Sequence, residues 1–247
     1  DLLTYRNDYE FINASFKEKV VSKNELELTF EITEFEKRYL KTVNVFGNNI
    51  TEERVIRDNL EVDEGDPFNE LLLSKSINNL KSLNIFGNVE YELVTEDTNK
   101  KVLNITVSEK PTGEIFASAG AGTQGGTIGF GVAENNFLGK NISLDTNLRI
   151  NDETVKGAFS VVNPNWNYSD KSLIASIESS VTDRLTDYGY ETSKTGFSFG
   201  SAWEQYDDVR FSPKLRTYYE KLDTNQSATA NLKKQEGEYF DASFAYA

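Results

Sequence analysis

The 247-residue chain contains no cysteine, no histidine and no methionine, and only four prolines. Without cysteine there is neither a disulfide framework nor a thiolate metal site. Without histidine the usual general base and the commonest transition-metal ligand are gone. Positive charge is also scarce: 26 Lys and Arg stand against 40 Asp and Glu, a net charge of −14. That balance argues against binding a phosphate backbone, which concentrates Lys and Arg, and no nucleic-acid partner is expected. No apolar run approaches the ~20 residues that a membrane-spanning helix needs. Strands that cross a membrane leave a far weaker hydropathy signal, so the membrane stays open. The missing initiator methionine and a helical opening at Asp1-Leu2-Leu3-Thr4-Tyr5 suggest a piece of a longer gene product.

What is present is two-residue alternation. In 141–151, Ile142, Leu144, Thr146, Leu148 and Ile150 face one way, and Ser143, Asp145, Asn147, Arg149 and Asn151 the other. Such a period is what a strand with one apolar and one polar surface requires. Strand candidates of this kind fill the chain after Pro111, at 114–122, 127–133, 141–151, 154–162, 172–182, 194–203, 209–219 and 238–247. Connections at 135–140, 163–171 and 204–208 read as compact, and those at 183–193 and 220–237 as longer and polar. An antiparallel meander with short turns at one end and longer loops at the other suits a membrane barrel, although the connections at 124–126 and 152–153, on the longer-loop side, are short. Trp166 and Tyr168 fall in a compact turn, where an interfacial girdle places aromatics. A soluble sandwich with aromatics in its core is the competing architecture. Pro213 interrupts the seventh candidate, since proline cannot donate to a ladder.

Before Pro111 the order is different. Residues 13–22 and 25–35 alternate around the polar turn Ser22-Lys23-Asn24. Then 39–45 reads as a strand, and Thr51 as the cap of a helix to Leu60. Asp66 and Pro67 read as N-cap and first residue of a second helix with an apolar stripe of Leu73, Ile77 and Leu80. Strands at 89–95 and 101–108 follow, joined by the polar 96–100 segment.

These residues carry a resemblance. Val43-Asn44-Val45-Phe46-Gly47-Asn48, Val55-Ile56-Arg57, Gly65, Phe68, Leu72, Ser76, Leu80, Leu83, Phe86, Val89 and the run from Val102 to Glu109 together resemble a POTRA domain. That module has a glycine after the leucine that enters its second strand, and here Asn84 stands there. Phe116 to Gly122, Glu134-Asn135-Asn136-Phe137-Leu138-Gly139-Lys140 and Val162-Asn163-Pro164-Asn165-Trp166 resemble the barrel opening of the BamA family of outer-membrane assembly factors. The resemblance implies an α+β POTRA module (β-α-α-β-β) followed by an antiparallel transmembrane β-barrel, here about eight of roughly sixteen strands. It divides the chain into 1–36, the end of a penultimate POTRA; 37–111, a complete last POTRA; and 112–247, the first half of the barrel.

The implied function is to fold and insert client β-barrel proteins without ATP, cofactor, metal or catalysis. The implied place is the bacterial outer membrane, with POTRA domains in the periplasm. The implied partners are unfolded barrel clients, accessory lipoproteins and membrane lipid. A two-partner secretion or translocation pore of the same superfamily is the alternative, and a generic porin with an appendage is a third.

Two sites are expected. The first barrel strand, Ile115-Phe116-Ala117-Ser118-Ala119-Gly120-Ala121-Gly122, is mostly small residues with low β-propensity, suited to a lateral-gate edge. Small residues that merely relieve crowding are the bland account. The POTRA strand Glu90-Tyr91-Glu92-Leu93-Val94 is expected to be a sheet edge for β-augmentation, or a solvated edge without a partner. The 52–60 helix, with Glu52, Glu53, Arg57 and Asp58 exposed, either contacts a partner or, as expected, is a wet face. Gly120-Ala121-Gly122 and Gly125-Gly126 have no following helix and do not make a phosphate cradle. Asp183, Asp187, Asp207 and Asp208 lack the spacing of a calcium loop and read as solvated.

Overall fold

The computed structural model describes residues 12–22, 25–34, 38–122, 125–206 and 209–247. The helical opening read at Asp1–Tyr5, the turn residues Lys23 and Asn24, and Asp207 and Asp208 lie outside the described residues. The chain divides into two units, Asp1–Lys110 and Pro111–Ala247.

In the first unit, strands β1 (Ile12–Ser22) and β2 (Glu25–Glu34) form an antiparallel hairpin. Phe16 pairs with Phe30 and Val20 with Leu26, so the apolar side chains share one face. Lys17 and Glu31 join across the other at 2.6 Å.

A second, three-stranded sheet follows, built from β3 (Tyr39–Phe46), β4 (Phe86–Asp97) and β5 (Lys100–Glu109) in the order β3-β5-β4. β5 is parallel to β3 and antiparallel to β4. Helices α1 (Glu53–Arg57) and α2 (Glu70–Ser82) lie between β3 and β4 in the chain. Leu73, Ile77 and Leu80, one helical face of α2, are buried with Leu40, Val43, Ile56, Ile85, Leu103 and Ile105. Each such side chain contributes about 1.5–3 kcal/mol relative to exposure, which gives this module a core of its own.

Both helix starts depart from the sequence expectation. α1 begins at Glu53 rather than from a Thr51 cap, and it stops at Arg57 instead of Leu60. Thr51 is buried one residue before the N-cap position, Glu52, and its amide donates to the Glu109 carboxylate at 2.6 Å. The second helix is capped by Asn69, whose Oδ1 accepts from the amides of Leu71 and Leu72, and not by Asp66. Asp66 instead accepts from the Asp63 amide, and Pro67 forms an isolated bridge with Tyr39. The strands are also longer than the alternation alone suggested, so the 96–100 segment shrinks to a tight turn between β4 and β5.

The second unit is an antiparallel sheet of β6 (Gly113–Gly122), β7 (Gly125–Phe137), β8 (Ile142–Asn151), β9 (Thr154–Asn163), β10 (Ser172–Arg184), β11 (Tyr190–Tyr206), β12 (Val209–Phe211), β13 (Lys214–Thr224) and β14 (Gly237–Ala245). Neighbours in the chain pair throughout, except that the short β12 pairs only with β11. The seventh sequence candidate is therefore two strands, broken at Ser212 and Pro213, where the Pro213 carbonyl accepts from Ser201 instead of continuing the ladder. The two long connections contract as well. β10, β11 and β13 run on into them, and the second holds a short helix, α3 (Ala230–Lys234).

The register places whole rows of side chains on common faces. Val132, Phe159, Ile177 and Phe197 form one such row across β7, β9, β10 and β11, and each is 42–50% exposed. Phe130, Leu148, Tyr219 and Phe240 belong to another row on the same face. The opposite face carries Asp145, Arg149, Lys156, Glu178, Lys194, Arg216 and Glu220. Charges on one face and a half-bare apolar surface on the other are the pattern of a barrel wall, with lipid outside and water within. A soluble sandwich would cover its apolar face.

Candidate functional site

Both expected sites lie at sheet edges. β6, which contains Ile115 to Gly122, ends the large sheet and pairs only with β7, in an unbroken register from Gly113–Glu134 to Gly122–Gly125. Every residue of β6 is exposed, Ile115 at 87%. β14 is the other edge, so the sheet is open. An unpaired edge is a row of free backbone donors and acceptors, a template for another strand.

β4, which contains Glu90 to Val94, is one edge of the three-stranded sheet, and β3 is the other. Val89 is buried and Leu93 half-buried on the helix-facing side, while Glu90 and Glu92 point away, exposed. The strand can offer its backbone without giving up core packing.

The turn after β3 is built around one carboxylate. Gly47 sits at φ +87°, and a Cβ there would strike the Val107 carbonyl, so only glycine fits. The chain then wraps so that the amides of Asn49, Ile50 and Thr51 all donate to Glu109 at the end of β5, at 3.0, 3.0 and 2.6 Å. Partial burial pushes this carboxyl up. The hydrogen bonds from Thr51, Ile50 and Asn49 outweigh it, so Glu109 lies below the ordinary carboxylate range. Alternation and propensity gave no sign of this role, because it depends on residues nearly sixty positions apart meeting in space.

Asn84 explains the departure from the module's usual glycine. Its φ is +58°, a left-handed conformation that asparagine tolerates better than most residues. Its side chain adds a bond glycine lacks, accepting from Lys110 Nζ at 2.6 Å. Arg57, expected on a wet face, is instead tied down: it donates to Glu53 at 2.7 Å and to the Val43 carbonyl at 2.8 Å.

On the polar face of the large sheet, Glu178 gathers its neighbours. Tyr218 donates to it at 2.8 Å and Lys156 lies at 3.7 Å, while Lys194 pairs with Glu220 at 3.5 Å. These are the polar positions of the alternation, and only the register shows that they meet. Asp183 caps the following turn by accepting from the Leu185 amide. Among the described residues, no group of three or more acidic side chains is placed to hold a metal ion.

Comparison with known proteins follows the same division. Residues 38–110 match the POTRA family, described as surface antigen variable number repeat. The outer membrane protein assembly factor BamA of Nitratidesulfovibrio vulgaris is 26% identical over 96% of this chain and 30% of its own length. That of Neisseria meningitidis is 27% identical over 71% of this chain and 23% of its length. The chain thus spans about a third or less of these relatives. Among solved structures, BamA from Haemophilus ducreyi lacking POTRA domains 1–3 has a TM-score of 0.67 at 18% identity, covering 96% of this chain and 47% of that one. CdiB from Escherichia coli has a TM-score of 0.56 at 13% identity, covering 98% and 47%. At these identities the structures speak for the fold. Residues 38–110 thus carry a POTRA module, and the open antiparallel sheet that follows, with its one apolar face, makes a chain similar to BamA proteins in sequence and to POTRA-plus-barrel structures in fold.

Proposed function

We propose that this chain is part of an outer-membrane assembly factor that folds and inserts other β-barrel proteins without ATP and without covalent chemistry. The observation that carries this is β6, a strand of mostly small residues that begins a sheet with one apolar face, in a chain that resembles BamA along its length. An edge of that kind offers backbone bonds to a client strand while the apolar face holds lipid. Residues 115–122 are then the lateral-gate edge, and residues 90–94 add unfolded clients to the POTRA sheet as an extra strand.

The same reading makes the β1–β2 hairpin the end of a preceding POTRA, whose remaining elements cover its bare apolar face. It puts residues 37–111 in the periplasm as the last POTRA, next to accessory lipoproteins, and residues 112–247 in the outer membrane. No cofactor is involved.

The test is crosslinking. A photoreactive residue is placed at Ala117 or Ala119 in the full gene product, expressed in cells making outer-membrane barrels. Crosslinks to nascent barrel proteins support an assembly factor. Crosslinks to one exported partner protein, with barrel assembly unaffected, would turn the reading toward a secretion pore.

A further inference from the structure

The apolar face of the large sheet ends differently at its two rims. At the end of the longer loops, Asp183, Glu191 and Asp223 stand directly opposite one another across β10, β11 and β13. Glu238 of β14 faces Lys221, which pairs with Asp223 at 2.7 Å. That rim is acidic. At the end of the compact turns, Glu134 on this face is committed to the Thr112 hydroxyl and the Asn136 amide. The same end carries a cation, Lys171, the residue before β10. Ser172 pairs with Ala202, so the ladder carried one step further sets Lys171 beside Trp203.

Lys171 is built into an aromatic patch. Its Nζ lies 5.5 Å from the centre of the Trp203 ring, and Trp203 meets Phe211 edge to face at 5.1 Å. The turn before it is fixed by its own bonds. The Asn165 side chain accepts from the Asp170 amide at 3.1 Å, and Ser169 Oγ donates to the Trp166 carbonyl at 2.6 Å. The Trp166 amide donates to the Lys171 carbonyl at 2.8 Å. Asn167, Tyr168 and Asp170 take left-handed φ values of +51°, +58° and +56°, which persist only where the surroundings over-determine them. This turn leaves Trp166 and Tyr168 half exposed. Lys171 is exposed, and among the described residues its ammonium forms no ion pair, not even with Asp170.

We propose that Lys171, seated on Trp203, binds the phosphate of an anionic phospholipid headgroup at this rim. The inference rests on the reading of the large sheet as a lipid-facing wall. A lysine stem lies along apolar surface while its ammonium reaches the polar boundary, and tryptophan occupies the same level. From there the apolar row runs along β11 through Phe199 and Phe197, flanked by Leu215 and Ile177, each 44–50% exposed. That row gives the acyl chains a surface below the headgroup. The occupant is a phospholipid rather than a lipopolysaccharide, because compact turns mark the periplasmic end of such a wall, where the leaflet is phospholipid. The acidic rim would repel the same headgroup, so the two ends are not interchangeable.

Photolabelling of the full gene product in lipid vesicles tests it. Phosphatidylglycerol and phosphatidylcholine, each with a diazirine next to the headgroup, are compared by mapping the labelled peptides. Phosphatidylglycerol should label the peptides carrying Lys171 and Trp203 about fivefold more, the preference that one lysine near an anionic surface confers. Lys171→Gln should lower this to the phosphatidylcholine level, and Lys171→Arg, which keeps the charge, should hold it. Heat-modifiable migration reports that each variant is folded. Equal labelling of the wild type by the two lipids, or labelling that Lys171→Gln leaves unchanged, means an aromatic belt only and overturns the site. Stronger labelling there by a lipid A analogue overturns the choice of a phospholipid. A diazirine placed deep in the acyl chain separates this inference from the reading beneath it. No label at Phe197 and Phe199 sinks the lipid-facing wall itself, whereas label there without headgroup preference at Lys171 sinks only the site.

Discussion

At the residue scale, single side chains decide whether the POTRA module closes. Asn84 holds a left-handed backbone and bonds Lys110. Asn84→Ala should destabilise residues 38–110 by about 1–2 kcal/mol, the cost of forcing a Cβ-bearing residue without a local polar partner into that region. Asn84→Gly should recover most of the loss. Urea titration of the isolated module, which has its own buried core, measures both. Glu109 supplies the pH dependence. Its pKa is lower folded than unfolded, so its contribution is present above the unfolded value and is lost as pH falls through the folded one. Stability should therefore drop on acidification below about pH 4. Glu109→Gln should cost about 2 kcal/mol at neutral pH and flatten that acid limb.

At the element scale, the notable pieces are the strands at the edges. β6 is Gly, Ala and Ser over most of its length, with little for a neighbouring side chain to grip. Raising its β-propensity with Ala117→Val, Ala119→Val and Ala121→Val together should strengthen pairing at this edge by roughly 1 kcal/mol or more. If the edge works by opening, client assembly falls while the barrel itself still folds, which heat-modifiable migration of the full gene product reports. Unchanged assembly in a well-folded variant would argue that β6 need not open. The element boundaries also show where local rules stop. Asn69 rather than Asp66 caps α2, since the Asp66 carboxylate turns to the nearby Asp63 amide, and Thr51 lies before the start of α1 with its amide on Glu109.

At the scale of the whole molecule, the large sheet is open at β6 and β14 and keeps an apolar face half exposed. Sheets avoid bare edges by closing, covering or charging them. The 247-residue chain on its own should therefore not migrate as a compact, heat-modifiable barrel in detergent. Gel shift between unheated and boiled samples checks this, and a clear shift would mean that the sheet finds closure, within one chain or between copies.

What the sequence determined by itself is the content of each strand and the kind of face it presents. Strict alternation after Pro111, with polar turns between, yields an antiparallel meander, and Leu73, Ile77 and Leu80 yield the buried stripe of α2. These patterns are local and repeat within a few residues, so periodicity alone reveals them. The POTRA turn was likewise legible, since Gly47 and Asn48 mark it directly. Tertiary structure decided the rest, for a shared reason. Register sets which residues meet across strands, and a shift of one residue would reverse every face. Only the paired sheet brings Glu178 to Tyr218, lays Phe116 on Gly131, and carries Glu109 back to the turn at Thr51.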